Sequence, residues 1–258
     1  MELRFTESDS VLITGGSRGI GAATAQVFAA EGVGRIHLVG RDKDSLEQLR
    51  GSIDADVTCH ALDLSSPSDR AELSETLAEI DILINNAGAI PQGSLDEADL
   101  AAWQRAWDLK VWGYLELSQL ALKAMRSRRS GVIVNVVGLS GERPDAGYLA
   151  GSMANSALMT FTRAVGAYSL DDGVRVVAVN PGPVQTQRLL DALHVRARTE
   201  LGASDRWSEF VEHYPAQRMA TAEEVADTIA FLASRRSSYT SGTVVTLDGG
   251  MAWRGRAL

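Results

Sequence analysis

The chain is poor in the residues that build disulfides and metal centres. Cys59 is the single cysteine among 258 residues, and the four histidines are His37, His60, His194 and His213. One cysteine excludes an intrachain disulfide and a thiolate cluster, and this scarcity fits a reducing cytoplasm. The histidines are scattered without the spacing of metal ligands, so we expect no metal site.

Basic residues are outnumbered, and long apolar runs are missing. Aspartate and glutamate number 33 against 25 lysines and arginines, which gives a formal net charge of −8. A surface of this sign repels phosphate backbones and anionic lipids, which argues against nucleic-acid and membrane partners. No apolar run approaches the roughly 18 residues that span a bilayer, and the first ten residues do not form a signal segment. We therefore expect a soluble cytoplasmic protein with a small-molecule substrate.

What the chain does contain is an alternation of short β-branched runs with longer segments of helical period. The runs predict seven strands, Val11–Thr14, Ile36–Val39, Val57–Leu62, Ile82–Asn85, Val132–Val137, Val174–Asn180 and Thr243–Leu247. The segments between them predict helices over Ile20–Ala30, Asp44–Ile53, Ser68–Glu79, Ala101–Arg126, Leu149–Leu170 and Ala222–Ala233. This order predicts an α/β fold, a doubly wound Rossmann-type parallel sheet of about seven strands with helices on both faces.

Length and composition predict one domain over residues 1–258. An apolar fraction of 45% in a chain of this length is enough to bury one large core. The pattern blurs only between Pro183 and Pro215. Because long irregular segments in compact domains are often functional, we interpret residues 183–215 as a lid or substrate loop.

A glycine-rich segment follows the first predicted strand. From Thr14 to Gly21 it reads Thr-Gly-Gly-Ser-Arg-Gly-Ile-Gly, at the start of a helix. Glycines permit a tight turn and a close approach of the backbone, and the free amides and positive dipole of a helix start suit a pyrophosphate. An ordinary glycine-rich turn between strand and helix is the alternative interpretation.

The spacing of this segment resembles that of the short-chain dehydrogenase/reductase family. Further matches to the family occur in chain order, at Asp63-Leu64, Asn85-Asn86-Ala87-Gly88, Pro181-Gly182-Pro183-Val184-Gln185-Thr186, Arg218, Glu223-Glu224-Val225, Phe231-Leu232-Ala233-Ser234, Gly242 and Asp248-Gly249-Gly250. The resemblance implies cofactor contacts at Gly15, Ser17, Arg18, Gly19, Ile20, Gly21, Asp63, Leu64, Asn86, Ala87, Gly88, Pro181, Gly182, Val184 and Thr186. It also implies a homotetramer or homodimer. Outside the family context, Asp63 has an alternative role as a helix-capping acid.

The residues after the second predicted strand favour NADP over NAD. A domain that selects NAD usually ends this strand with a carboxylate for the ribose hydroxyls, and that charge would repel a 2′-phosphate. Here Gly40 stands at the position of the acid, and Arg18 and Arg41 flank it. Guanidinium groups suit bidentate contact with phosphate. The alternatives are a solvated Arg18 and an Arg41 paired with Asp42 or Asp44.

The usual catalytic positions of the family are changed in this chain. Members carry an Asn in the helix after the fourth strand, a Ser past the fifth strand, a Tyr thirteen positions later and a Lys four beyond it. In the family Tyr moves the substrate proton, Lys lowers the pKa of that Tyr and holds the ribose, Ser orients the carbonyl, and Asn supports a water. The ungapped comparison places Lys110, Gly138, Gly151 and Asn155 at these four positions.

Four side chains are therefore the catalytic candidates, Tyr148, Lys110, Ser140 and Asn155. Tyr148 lies three residues before Gly151, an offset of ~4.5 Å along a helix, so its ring can still face the cleft. Lys110 and Asn155 would have exchanged the usual Asn and Lys, and Ser140 would supply the hydroxyl. The alternatives are packing for Tyr148, a turn residue for Ser140, a satisfied helix amide for Asn155, and for Lys110 a surface cation paired with Asp108 or Glu116.

We therefore predict an NADP(H)-dependent oxidoreductase that interconverts a small carbonyl compound and its alcohol through a rearranged proton-transfer site. The glycines at 138 and 151 predict an open cleft with vacated space beside the nicotinamide. Arg143 is a candidate for a substrate carboxylate, with a solvated loop charge as the alternative. Two other functions stay open, a catalytically silent NADP-binding sensor or subunit and a reductase of an imine or activated alkene.

Overall fold

Seven parallel strands form one sheet in a computed structural model that describes residues 3–254. The strands are β1 (Ser10–Thr14), β2 (Arg35–Gly40), β3 (Asp56–Ala61), β4 (Ile82–Asn85), β5 (Gly131–Val136), β6 (Val174–Pro181) and β7 (Val244–Leu247). Their spatial order is β3-β2-β1-β4-β5-β6-β7, so the winding reverses between β1 and β4. The predicted doubly wound sheet is confirmed, and the two ends of the predicted domain lie outside the described residues.

Helices cover both faces of the sheet. They are α1 (Gly19–Ala30), α2 (Lys43–Arg50), α3 (Pro67–Glu72), α4 (Ser74–Glu79), α5 (Leu100–Trp107), α6 (Gly113–Arg128), α7 (Leu149–Ser169), α8 (Gln187–Leu201), α9 (Ser208–Val211) and α10 (Ala222–Ala233). Short polar side chains begin several of them by accepting a backbone N–H. Asp42 accepts from Ser45 before α2, and Thr221 and Glu224 form a reciprocal capping box at α10. Within residues 3–254, no helix is long and apolar enough to cross a membrane.

Two apolar cores lie on opposite faces of the sheet. Ile13 of β1 faces the layer that contains Phe28 of α1 and Ile229 of α10. Leu12, the neighbouring residue on the same strand, faces the other layer, which includes Leu117 of α6. Successive side chains of a strand point to opposite faces, and both faces are covered, so β1 and β6 are buried along their whole length.

A buried polar ladder crosses the middle of the molecule behind the carboxyl ends of the strands. Asn85 Nδ2 donates to Asn135 Oδ1 at 3.0 Å and to Ser118 Oγ at 3.0 Å. Asn135 Nδ2 donates to Thr162 Oγ1 at 3.0 Å, and the Thr162 hydroxyl donates to the Leu158 carbonyl. The ladder connects α6, β4, β5 and α7, and therefore fixes the two central strands relative to the helices that carry the site.

Three predicted segments differ from the structure. The segment Ser68–Glu79 divides into α3 and α4 at Leu73, and Ala101–Arg126 is interrupted by a π-helical turn at Asp108–Trp112. The segment interpreted as a loop is largely helical, because α8 occupies fifteen residues of it and buries Leu193 and Ala197. The prediction of an irregular loop was therefore wrong. The apolar residues of the segment 183–215 are few and lie among many charged residues, so they show no clear helical period.

Candidate cofactor and catalytic cleft

A cavity of about 700 Å³ opens at the carboxyl ends of the strands, where the winding reverses. Its walls come from the ends of β1 to β6 and from the start of α8. It is lined by Gly15, Ser17, Arg18, Gly19, Ile20, Val39, Gly40, Arg41, Asp42, Ser45, Leu62, Asp63, Leu64, Asn86, Ala87, Gly88, Ala89, Ile90, Leu109, Lys110, Val136, Val137, Tyr148, Pro181, Thr186, Gln187 and Arg188. A doubly wound sheet binds its ligands at this crevice.

The predicted cofactor residues lie in this cleft, with three exceptions. Gly21 lies behind the glycine loop, where a Cβ would be 2.2 Å from the Gly15 carbonyl oxygen. Gly182 packs on Asp248, and the buried Val184 pairs with Ala220 in an isolated bridge. These three glycine and valine positions shape the backbone around the cleft and do not line it.

The glycine loop adopts a conformation that other residues rarely take. Gly15 has φ of +64° and Gly19 has φ of +55°, in the left-handed region. A Cβ on Gly15 would lie 3.0 Å from Asn86 Nδ2, and one on Gly19 would lie 3.2 Å from Thr186 Cγ2. The glycines are therefore required both by backbone conformation and by the close approach of two neighbouring segments.

Thr14 and Asn86 hold this loop against the end of β4. The backbone N–H groups of Asn86 and Ala87 donate to Thr14 Oγ1 at 2.8 and 3.0 Å. Asn86 Nδ2 donates back to the carbonyls of Thr14 and Gly15 at 3.0 and 3.2 Å. The loop is consequently fixed in place by the structure that surrounds it.

The start of α1 fits a pyrophosphate. Arg18 occupies the N-cap position with an extended backbone, and in the described chain it makes no side-chain cap and no acid lies in the first turn. The first amides of a helix without a cap are free to donate to an anion, and the helix dipole adds to the attraction. The residues of this loop thus fit the phosphates of a dinucleotide.

The two carboxylates of the cleft wall, Asp42 and Asp63, are held by nearby serines. Asp42 accepts from Ser45 N–H and Ser45 Oγ, at 3.2 and 2.8 Å. These bonds lower the pKa of Asp42, and the nearby charge of Arg18 lowers it further. Asp63 accepts from the backbone and hydroxyl of Ser65, at 3.0 and 2.8 Å. The residue that caps α3 is Ser66, so the alternative of Asp63 as a helix cap is wrong.

Lys110 lies inside the protein on the π-helical turn. Its side chain is only 9% exposed, and Nζ donates to the Val137 carbonyl at 3.2 Å. Burial, with a smaller contribution from the charge of Arg188, lowers the pKa of Lys110 to about 7. Glu116 pairs with Arg70 at 2.5 Å. The alternative of a surface cation is therefore wrong, and a π-helical turn at such a residue is typical of functional sites.

Tyr148 covers Gly151. It precedes α7 with φ of −136° and ψ of 45°, so it lies outside the helix and the predicted helical offset does not apply. Its ring folds back, and a Cβ on Gly151 would lie 2.0 Å from Tyr148 Cε1. The ring therefore occupies the space that a side chain at 151 would fill. Burial raises the pKa of the Tyr148 hydroxyl, and the nearby Arg188 guanidinium partly offsets this.

Ser140 and Asn155 bind each other at the side of the cleft. Asn155 Nδ2 donates to Ser140 Oγ at 2.9 Å, and the same nitrogen would lie 2.9 Å from a Cβ on Gly138. Neither residue lines the cavity. The expectation that Gly138 and Gly151 leave vacated space is therefore wrong, because the Asn155 amide and the Tyr148 ring fill it.

Comparisons with known proteins agree with this geometry. The family model described as enoyl-(acyl carrier protein) reductase matches residues 15–252. The 2-(S)-hydroxypropyl-CoM dehydrogenase 3 of Xanthobacter autotrophicus is 33% identical over 265 residues, which cover 95% of this chain and 97% of that protein. A solved short chain dehydrogenase/reductase family protein is 34% identical with a TM-score of 0.85, covering 98% of this chain and 99% of that one. The chain belongs to the short-chain dehydrogenase/reductase family.

Two further comparisons show the range of this family. Galactitol 2-dehydrogenase (L-tagatose-forming) of Cereibacter sphaeroides is 31% identical and covers 92% of each chain. The L-sorbose reductase of Gluconobacter frateurii, solved with NADPH and L-sorbose, has a TM-score of 0.90 at 28% identity and covers 99% of this chain and all of that one. Both are oxidoreductases by name, and the predicted family and its oxidoreductase class are confirmed.

Sequence reasoning missed one cation of this dehydrogenase/reductase, Arg188. It follows Thr186 by two residues, at the start of α8, within the segment interpreted as a loop. Its Nη1 donates to the Gly88 carbonyl at 2.6 Å and its Nη2 to the Ile90 carbonyl at 2.8 Å, across the cleft. Arg143, the predicted carboxylate partner, lies outside the cavity wall and donates to the Met251 carbonyl. The available signal was the position of Arg188 immediately after the Thr motif.

The histidines of this family member include one close pair. His37 Nδ1 and His60 Nε2 lie 3.2 Å apart on neighbouring strands. Burial lowers the pKa of both imidazoles, and for His37 the charge of His60 adds to that effect. Over residues 3–254, no three His, Cys, Asp or Glu side chains are grouped as a metal site requires.

Proposed function

We propose that the protein is an NADP(H)-dependent oxidoreductase that interconverts a small carbonyl compound and its alcohol. The observation that carries this proposal is the Tyr148 ring, which covers Gly151 and lines the cleft together with Lys110. Tyr148 therefore supports a phenol as the proton donor, although the usual position holds glycine. A nicotinamide held in this cleft would supply a hydride to the carbonyl carbon or accept one from the alcohol.

In this proposal Tyr148 moves the proton. Its hydroxyl donates to the carbonyl oxygen during reduction and accepts the proton of the alcohol during oxidation. A pKa that burial raises keeps the phenol protonated at neutral pH, which suits the reduction direction. Lys110, when protonated, stabilises the negative charge that develops on the substrate oxygen and on the phenol. The Ser140–Asn155 pair then holds the loop after β5, beside the site.

The preference for NADP rests on the ribose end of the cleft. Arg18 and Arg41 both line it, and Gly40 contributes no acid at the end of β2. A Cβ on Gly40 would lie 3.5 Å from Ser17 Oγ, so a larger side chain there would project toward the glycine loop. Asp42, one of the two carboxylates that line the cleft, is engaged as the N-cap of α2. The L-sorbose reductase of similar fold was solved with NADPH, which supports the same cofactor.

Screening reductions tests the proposed reaction. We expect NADPH oxidation with at least one member of a panel of ketones and aldehydes, and Tyr148→Phe should lower kcat by about 10²- to 10⁴-fold with NADPH affinity unchanged. Tyr168→Phe is the matched control, because Tyr168 lies on α7 and is 73% exposed. An active Tyr148→Phe enzyme would contradict the assigned role. Imines and enones are tested separately, because reduction of an imine or activated alkene is the open alternative and the description of the family model names an enoyl reductase.

A catalytically silent NADP-binding sensor or subunit is the second candidate. The observation in its favour is the Ser140–Asn155 pair, which leaves no serine hydroxyl in the cavity wall after β5. Tight NADPH binding without turnover of carbonyls, imines or enones would support this candidate. The homotetramer or homodimer that the family resemblance implies stays a prediction in either case.

A further inference from the structure

We propose that Arg188 and Lys110 form an anion subsite in the catalytic cleft, and that the carbonyl substrate carries a carboxylate. This inference rests on the proposed function and names the substrate class of the same site. Three features of the cleft support it: the backbone carbonyls that hold Arg188, the burial of Lys110, and the absence of acids from the wall around Tyr148.

The Arg188 guanidinium is fixed by backbone groups that carry no charge. Its two terminal nitrogens donate to the carbonyls of Gly88 and Ile90, which follow β4 on the far side of the cleft. These two bonds use two of the five N–H donors of the group. The guanidinium plane is therefore oriented while its positive charge is not neutralised, and donors remain for a ligand.

Lys110 approaches the same space from the π-helical turn. Its ammonium makes one hydrogen bond among the described residues, to the Val137 carbonyl, and has three donors. Both side chains meet at Gly88, because Arg188 donates to the Gly88 carbonyl and a Cβ on Gly88 would lie 3.1 Å from Lys110 Cδ. The charge of Arg188 also contributes to the lowered pKa of Lys110. Of the two, Lys110 is buried and Arg188 is exposed, and an anion bound beside both would offset the repulsion between their charges.

The carboxylates of the cleft lie elsewhere. Among the residues that line it, the acids are Asp42 and Asp63, which follow β2 and β3 at the adenosine end and are held by Ser45 and Ser65. The wall around Tyr148 holds two cations and no acid, although the whole chain has a net charge of −8. This local excess of positive charge favours an anionic ligand beside the reacting groups.

A substrate carboxylate fits this position better than the cofactor pyrophosphate does. The pyrophosphate has its own donors in the free amides of α1, next to Gly19. Arg188 is held at Gly88 and Ile90, beyond that loop, and it influences the Tyr148 hydroxyl. A carboxylate bound there by a guanidinium fork would place its own carbonyl group near Tyr148. The geometry thus points to a short oxo acid and the corresponding hydroxy acid.

Matched acids and esters test the subsite. The probes are 2-oxopentanoate, 3-oxopentanoate and 4-oxopentanoate, each with its methyl ester, in the NADPH oxidation assay. We expect at least one acid to exceed its ester in kcat/KM by about tenfold or more, with the preferred isomer giving the distance between the carboxylate and the carbonyl. Arg188→Met should lower kcat/KM for that acid by about 10²-fold, chiefly through KM, lower kcat/KM for the ester by less than about tenfold, and leave NADPH affinity unchanged. Arg188→Lys should restore part of the loss.

Arg198→Met is the matched control, since Arg198 is an exposed arginine on the same helix. Esters that react as well as acids, with no effect of Arg188→Met, would overturn the subsite while the proposed reaction stands. Loss of NADPH affinity in Arg188→Met would assign the guanidinium to the cofactor and would also overturn it. If nothing is turned over, calorimetric titration of the NADP⁺ complex with the three acids separates the proposals. Binding that Arg188→Met abolishes supports the subsite, and absence of binding to the wild type overturns it.

Discussion

At the scale of single residues, the proposed catalytic site depends on the position of the Tyr148 ring in the cleft wall. Tyr148 starts outside α7 and covers a glycine of the first turn, so the ring needs the absence of a side chain at position 151. The glycine and the tyrosine therefore act as one unit. Changes that act through one unit are not additive.

Gly151→Ala tests this unit. Its Cβ would lie 2.0 Å from Tyr148 Cε1, so the ring must move, although alanine favours the helix itself by roughly 0.5–1 kcal/mol. We expect kcat to fall as far as in Tyr148→Phe, with no further loss in the double variant and no loss of thermal stability. Gly51→Ala is the control, because a Cβ there meets its nearest atom at 3.6 Å. A fully active Gly151→Ala enzyme would show that the ring position is unimportant.

Lys110 carries an expected cost in stability. Its pKa is about 7 in the folded protein and 10.5 for an unfolded lysine, so the unfolded chain binds more protons between these values. The free energy of unfolding of the apo protein should therefore rise as pH increases from about 7 to about 10. Lys110→Met should remove this dependence and stabilise the apo protein near pH 7 by at most about 4 kcal/mol.

Urea unfolding at several pH values measures this effect. The control is Lys123→Met, since Lys123 is exposed on α6 and its loss should change neither the stability nor its pH dependence. A Lys110→Met protein less stable than the wild type at neutral pH would mean that the ammonium stabilises the fold. In that case the hydrogen bond from Lys110 to the Val137 carbonyl would stabilise the fold by more than burial of the ammonium destabilises it.

The sequence could predict the residues that belong to a spaced pattern. The glycine loop, Asn86 and Thr186 were found this way. Comparison with the family's Asn segment located Lys110, and counting from Gly138 led to Gly151, near Tyr148. Arg188 follows the Thr186 motif without being part of it, and its proposed role arises only because its side chain reaches the loop after β4. Ser140 and Asn155 were placed at the right loop and helix, yet their side chains turn toward each other. Spacing alone does not determine which way a side chain turns.

At the scale of elements, the strands were predictable because buried parallel strands have a distinct composition. Each predicted strand agrees with the observed one to within one residue at each end. The helix interruptions were not predictable, since they arise from tertiary contacts. Arg70 lies on α3, and its buried side chain pairs with Glu116 of α6. It also donates to the carbonyl of Asp108 at the π-helical turn and to that of Leu64 after β3. The position of that turn, which brings Lys110 inward, is therefore associated with a partner remote in sequence.

The polar ladder between the central strands gives an element-scale prediction. Asn135→Ala removes the acceptor of Asn85 Nδ2 and the donor to Thr162 Oγ1, both buried. We expect a loss of about 2–3 kcal/mol in the free energy of unfolding by urea. Ser169→Ala is the control, because the buried Ser169 hydroxyl has no partner in the described chain and its removal should cost less than about 1 kcal/mol. Equal effects of the two substitutions would contradict a stabilising ladder.

At the scale of the whole molecule, the cleft joins the two halves of the sheet. Strands β1 to β3 contribute the glycine loop, Arg41 and Asp63, while β4 to β6 contribute Asn86, Val137 and Pro181. A dinucleotide in this cleft would contact both halves. If the chain folds as the single domain that its composition predicts, cofactor binding should stabilise both halves together.

Calorimetric unfolding tests the single domain and the cofactor preference together. NADPH at about one hundred times its Kd should add ~2.7 kcal/mol to the free energy of unfolding and raise Tm by ~5–10 °C in one transition. NADH at the same concentration should give a smaller shift, because it lacks the phosphate for Arg18 and Arg41. Arg41→Ala should reduce the NADPH shift toward that of NADH, while Arg50→Ala, which removes a charge paired with Glu47 at the other end of α2, should leave it unchanged. Two transitions of which one shifts would disprove the single cooperative domain, and equal shifts with both cofactors would disprove the preference for NADP.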